Sequence, residues 1–208
     1  TKRMLTENGT GETLTIGSVK IRRVPTRPPR LHERLERARP DVKLFQEAKQ
    51  DSADIPAQEI APLGYKIATN GQKSNIGVAF LSRAPIEDVL TGLPGDPSDE
   101  QARYIEATTA GVRIASIYLP NGNPTDSDKF PYKLAWMDRL IAHVRDTLLP
   151  AEQPFVLGGD YNLLPSDHDL HDPQGWAAHA LCPPDSPARL PTSPHSRPSA
   201  PWRAPPPQ

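Results

Sequence analysis

Asp160 and Asn162 stand two residues apart, directly after the run Phe155-Val156-Leu157-Gly158-Gly159. A carboxylate and an amide on one short stretch form a candidate ligand-binding or acid–base pair, provided that other elements bring partners. The apolar run is long enough for one buried strand. On extended chain, residues two apart share a face. The pair is therefore expected to project from the carboxyl end of that strand, where layered α/β folds bind ligands. A second cluster of ligand types, Asp167, His168, Asp169, His171 and Asp172, reads as a solvated acidic loop. Cys182 is the one cysteine, which excludes a disulfide within the chain and a cysteine zinc site.

The elements that must position the pair follow from the pattern of the chain. Residues 1–18 read as a disordered polar leader. Val19-Lys20-Ile21 begins a strand that breaks into Arg22-Arg23-Val24-Pro25-Thr26-Arg27-Pro28-Pro29-Arg30, read as a solvated linker. Residues 31–39 have helical composition and stop at Pro40. Strands are expected over residues 42–45, 64–69, 76–82 and 86–90, with a turn at Asn70-Gly71. Residues 103–108 and 112–118 form a hairpin-like pair around Ala110-Gly111. A helix of about 20 residues is expected from Lys129 to Leu149, with Leu134, Met137, Leu140, Ile141 and Val144 as its apolar stripe. Short strands with few helices, several of them joined by hairpins, imply a layered α/β sandwich with mixed sheets.

Composition sets the outer bounds. The 208 residues suffice for one domain with a core, and the formal net charge of -1 carries no global basic signature. Twenty-six prolines far exceed the average of roughly 5%. No apolar run is long enough to span a membrane, and residues 1–17 lack an apolar signal core. The expectation is a monomeric cytoplasmic protein with no membrane partner.

Seven short motifs occur in order: Gln46-Glu47, Asn70-Gly71-Gln72-Lys73, Gly77-Val78-Ala79, Arg103-Tyr104-Ile105, Tyr118-Leu119-Pro120-Asn121-Gly122, Lys129-Phe130 and Gly159-Asp160-Tyr161-Asn162. Together they resemble the exodeoxyribonuclease III family of the endonuclease/exonuclease/phosphatase superfamily, from about Leu31 to Leu181. The resemblance implies a four-layered α/β sandwich with a divalent metal, Mg²⁺ or Mn²⁺, at one edge. It implies phosphodiester hydrolysis in double-stranded DNA during base-excision repair, as 3′–5′ exodeoxyribonuclease and abasic-site endonuclease. It makes Glu47 a metal ligand, Tyr118 and Asn162 phosphate contacts, and Asp160 the group that sets up the attacking water. Arg103 and Asn121 would line the DNA-facing side, and Lys73 would touch backbone phosphate.

The chain also departs from that family. The resemblance calls for a Trp-Asn-Val-Asn type first strand, whose asparagine helps to bind metal, yet no asparagine stands between Gly9 and Asn70. Most of a central strand is therefore expected to be missing. The family's terminal Asp-His pair has no counterpart, since Ser166-Asp167-His168 lies only six residues after Asp160. Ten prolines follow Leu181, without apolar periodicity. The expected organisation is a leader and Pro/Arg segment over 1–30, a partial exonuclease III-like domain over 31–181 and a disordered Pro-rich tail over 182–208. The expected fold is thus an incomplete four-layered α/β sandwich, with impaired or absent turnover. The alternatives are a non-catalytic DNA-binding remnant and a superfamily phosphatase acting on a small phosphoester.

Overall fold

Two sheets stack face to face, and each carries helix on its outer side. The structure, a computed structural model, describes residues 2–7, 11–20, 29–47, 57–71 and 77–163. Lys73, the acidic loop at Asp167 to Asp172, Cys182 and the Pro-rich tail lie outside the described residues.

The first sheet contains β1 (Lys2–Glu7), β2 (Thr13–Lys20), β3 (Val42–Gln46), β4 (Lys66–Gly71) and β5 (Gly77–Ser82), in the order β1-β2-β3-β5-β4. The second contains β6 (Glu87–Thr91), β7 (Tyr104–Thr109), β8 (Val112–Tyr118) and β9 (Phe155–Asp160), in that order. β2 runs parallel to β3 and β8 parallel to β9; the other pairs are antiparallel. Helix α1 (Pro29–Ala38), the short α2 (Ala57–Ile60) and a 3₁₀ turn (Ala61–Leu63) connect strands of the first sheet. Helix α3 (Lys129–His143) continues into a wider π turn over Val144–Leu148 and crosses from β8 to β9. No helix among the described residues is long and apolar enough to cross a membrane.

Strand alternation builds the layers. Leu14, Ile16, Val42, Leu44, Val78 and Phe80 meet Ile105, Val112 and Ile114 between the sheets. On the outer face of the first sheet, Leu35, Phe45, Ile60, Tyr65, Ala79 and Leu81 pack together. Tyr104, Ala115 and Ile117 pack against Trp136, Met137 and Leu140 of α3 on the far side of the second. The described residues thus form the four layers that the sequence motifs imply.

Three expectations need correction. The supposed polar leader is a hairpin, β1 and β2, in continuous antiparallel register from Lys2↔Ser18 to Glu7↔Thr13. The central strand is also present, because β2 fills the place beside β3 from Ile16↔Val42 to Lys20↔Gln46. The physical reason is the alternation Thr13-Leu14-Thr15-Ile16, which turns Leu14 and Ile16 into the core and the exposed Thr13 and half-buried Thr15 to the opposite face. Asn70 and Gly71 form no turn, but complete β4 opposite Val78 and Gly77.

A buried polar cluster fixes α3 to its sheet. Glu106 of β7 is 2% exposed and accepts hydrogen bonds from Arg113 (Nη2, 2.6 Å; Nε, 2.9 Å) and from the Tyr104 hydroxyl. His143 Nε2 on α3 lies 2.9 Å from Glu106 Oε2, the oxygen that the Tyr104 hydroxyl also reaches, while Arg113 holds Oε1. Burial pushes the Glu106 carboxyl up, but the bonds from His143, Tyr104 and Arg113 outweigh it and hold the group down at about 2.

Candidate active site

The candidate site forms where strand ends from both sheets meet at one edge. β2 and β3 end there, as do β8 and β9, because each pair is parallel. β4 ends there too, and Asn70 Nδ2 crosses to the Tyr104 carbonyl of the second sheet at 2.9 Å. Just inside this edge, three buried side chains tie the sheets together. Ser18 Oγ donates to Gln46 Oε1 at 3.0 Å, Gln46 Nε2 donates to Ser116 Oγ at 3.0 Å, and Ser116 Oγ donates to the Phe45 carbonyl at 3.2 Å. A satisfied network of this kind has one geometry, so it sets the separation of the sheets below the site.

Glu47 follows Gln46 immediately. In regular β geometry its side chain would point away from the second sheet, on the opposite side from Gln46. Its φ of 57° breaks that alternation. The carboxylate instead accepts a hydrogen bond from the Tyr118 hydroxyl, from Oη to Oε1, at 2.7 Å. A non-glycine residue in this backbone region carries a cost on the order of 1 kcal/mol or more, which the surrounding contacts must outweigh.

Tyr118 ends β8, and its register partner on β9 is Asp160. Tyr118 and Val156 both pack on the core between the sheets, so Asp160, four residues after Val156, lies on that same face. Gly159 makes the close pairing possible. Its φ is 155°, and a Cβ there would fall 2.0 Å from the Ile117 carbonyl oxygen.

Asn162 does not continue the strand. Its φ is 43°, and its backbone N–H donates to Asp160 Oδ1 at 3.0 Å, which closes a local turn. The extended-chain argument for a shared face therefore gives the wrong local geometry, although the two side chains remain on one loop. Asn162 Nδ2 donates to the Leu119 carbonyl at 2.7 Å, and the Leu119 N–H donates to the Asp160 carbonyl at 2.9 Å. The loop after β8 and the turn after β9 are thus laced together. Behind them, burial pushes the Tyr161 phenol up to about 12 while its hydroxyl donates to the Leu157 carbonyl at 2.8 Å.

Arg103 reaches the site through Tyr118. Its guanidinium carbon lies 4.8 Å from the centre of the Tyr118 ring, and its Nε donates to Gln101 Oε1 at 2.6 Å. Asn121 sits on the exposed loop after β8, where its Oδ1 accepts from the Asn123 N–H at 3.2 Å. The structure thus brings Glu47, Tyr118, Asp160, Asn162, Arg103 and Asn121 to one edge. Lys133, Ser18 and Ser116 serve the same edge without having been singled out in the sequence, and Asn70, read there as part of a motif and a turn, serves it from the end of β4. The signal for Lys133 is its phase, since Lys133, Trp136, Met137 and Leu140 follow helical spacing and all four are buried. The expected stripe through Leu134 and Ile141 is rotated from the buried one, and both of those residues are half-buried.

A model of the endonuclease/exonuclease/phosphatase family matches residues 15–207. The chain belongs to that family. The match begins inside β2, earlier than the first motif, which agrees with the strand found there. Exodeoxyribonuclease III of Haemophilus influenzae is 31% identical over 161 residues, covering 74% of this chain and 59% of that protein. Among solved structures, a 3′ phosphatase from Neisseria, bound to a product DNA hairpin, superposes with a TM-score of 0.79 at 34% identity. An AP endonuclease from Archaeoglobus fulgidus gives 0.78 at 30% identity. Each superposition covers 85% of this chain and 68% of the other. The chain therefore spans about three-fifths of the curated relative and two-thirds of the solved ones. These relatives place it with the exodeoxyribonuclease III-like hydrolases, a family of divalent-metal-dependent nucleases.

Proposed function

We propose that this chain hydrolyses phosphodiesters in double-stranded DNA, at abasic sites and 3′ ends, with Mg²⁺ or Mn²⁺ bound at Glu47. The observation that carries the reading is the Tyr118–Glu47 hydrogen bond at the edge where Asp160 is the register partner of Tyr118. The donors are hard oxygens, which suits these metals. Among the described residues no three His, Cys, Asp or Glu side chains form a metal cage. That fits an ion held by one or two carboxylates, water and substrate phosphate. β2 supplies Lys20, not asparagine, as the register partner of Gln46, so weak metal binding is expected.

The bound metal would draw charge from the phosphate. The protein's own groups do the remainder. The Tyr118 hydroxyl donates its one hydrogen to the Glu47 carboxylate and so holds that carboxylate beside the phosphate position. Asn162 Nδ2 carries two hydrogens, one of which is used on Leu119, so the second is left to orient a phosphate oxygen. Asp160 holds the attacking water and takes its proton. Arg103 supports the Tyr118 ring, and together with Asn121 it faces the duplex. Lys73 belongs to the same reading as a backbone-phosphate contact.

Incision of an abasic-site duplex is the test. The expected result is turnover that needs millimolar Mg²⁺, stops with EDTA and falls below that of a full-length relative. Salt-dependent binding to the duplex without incision would favour the non-catalytic DNA-binding reading. A chain that neither binds nor incises the duplex overturns the proposal. The 3′-phosphatase activity named for the Neisseria neighbour gives a 3′-phosphorylated duplex a place in the same assay. Preference for a small phosphoester over DNA would move the chain to the phosphatase reading.

A further inference from the structure

Lys133 is fully buried, with 0% of its surface exposed. A lysine in an apolar helix face is costly unless its ammonium is satisfied, because the charge has left water. Here the ammonium reaches backbone carbonyls on two different loops. Nζ donates to the Asn162 carbonyl at 2.8 Å and to the Asn121 carbonyl at 3.3 Å. The first is the turn that follows β9 and the second is the loop that follows β8. Neither loop is part of a helix or strand, and Asn162 is held at a positive φ. A rigid helix thus reaches two irregular loops at the candidate site from behind.

We propose that Lys133 is the positioning residue of this site: it pins the Asn121 loop to the Asn162 turn and so fixes the direction of the Asn162 amide. The geometry supports a role in positioning. Lys133 holds the carbonyl of Asn162, Asp160 holds its N–H, and Leu119 holds its side chain. With the peptide groups on both sides of Asn162 fixed, its amide has one direction left. Removal of the ammonium frees the carbonyl side and uncouples the two loops. The consequence for DNA rests on the phosphodiesterase reading above, whereas the pinning itself does not.

Two experiments separate those levels. In the folded wild-type chain, ¹⁵N spectra should show a slowly exchanging Lys133 ammonium with couplings across hydrogen bonds to the Asn121 and Asn162 carbonyl carbons. In K133M, the Asn162 side-chain amide and the Leu163 N–H should shift and exchange faster. Affinity for a duplex carrying a tetrahydrofuran abasic analogue should fall roughly ten- to a hundredfold, the range for hydrogen bonds to a charged group. The double variant K133M/N162A should bind no more weakly than N162A, because both changes remove one arrangement. A purely structural role would lower the melting point, leave the Asn162 resonances of the folded fraction in place and give additive losses; that result overturns the proposal. If K133M does not fold, the wild-type couplings decide, and their absence refutes the pinning. A wild-type chain that binds no duplex sinks the phosphodiesterase reading, and the couplings still judge Lys133.

Discussion

Replacing Glu106 with Gln tests whether the cluster under α3 stabilises the fold through its charge. The Glu106 carboxyl is held at about 2 against an ordinary 4.5, by bonds from His143, Tyr104 and Arg113 that outweigh its burial. A depression of that size corresponds to about 3 kcal/mol of stability. The side chain is 2% exposed, so solvent screening does not reduce it much. The variant keeps the shape and one oxygen for Arg113, but it leaves the half-buried guanidinium without its counter-charge. At neutral pH the expected loss is on the order of 3 kcal/mol, or roughly 6–12 °C in melting temperature for a domain of this size. The sign with pH follows from the depressed value. The stabilisation is fully present above about pH 4.5 and disappears as the pH falls towards 2. E106Q has nothing to titrate at this position, so the gap between the two proteins should close over that window. Urea unfolding of both proteins at pH 7, 5, 4 and 3 measures it. A gap that stays constant across the series, or one below about 0.5 kcal/mol at pH 7, would refute the electrostatic account.

Two further outcomes follow from the site. Gly159→Ala places a methyl against the Ile117 carbonyl, a backbone atom that cannot move aside; a loss of about 3 kcal/mol or more is expected, with faster hydrogen exchange at the Leu119 N–H. A stable G159A with unchanged protection at Leu119 would contradict that. Tyr118→Phe removes the hydroxyl bonded to Glu47 but keeps the ring under Arg103. Its melting temperature should stay close to wild type while DNA incision falls roughly ten- to a hundredfold, and equal incision rates would remove Tyr118 from the mechanism.

Alternation and helical phase in the sequence determined most of the strands, the α3 span and the layered α/β class with mixed sheets, whereas the four layers and the family rested on the resemblance carried by the seven motifs. Gln46-Glu47, Tyr118 and Asp160-Tyr161-Asn162 carried the site because each lies where a strand ends, and strand ends are written locally. The hairpin of β1 and β2 was harder to read. Thr13 to Lys20 alternates weakly, and its place beside β3 depends on pairing with residues far along the chain. Only the tertiary structure decided how the site residues face one another. Strand parity alone points Glu47 away from Tyr118, and a positive φ reverses it. Asp160 and Asn162 share a loop through a turn and not through an extended face. Lys133 looks in sequence like one more charged residue on a surface helix, until α3 docks and places it behind both loops. Backbone direction at strand ends and the burial of a charge both depend on what packs against them, and no local pattern of residue types encodes that.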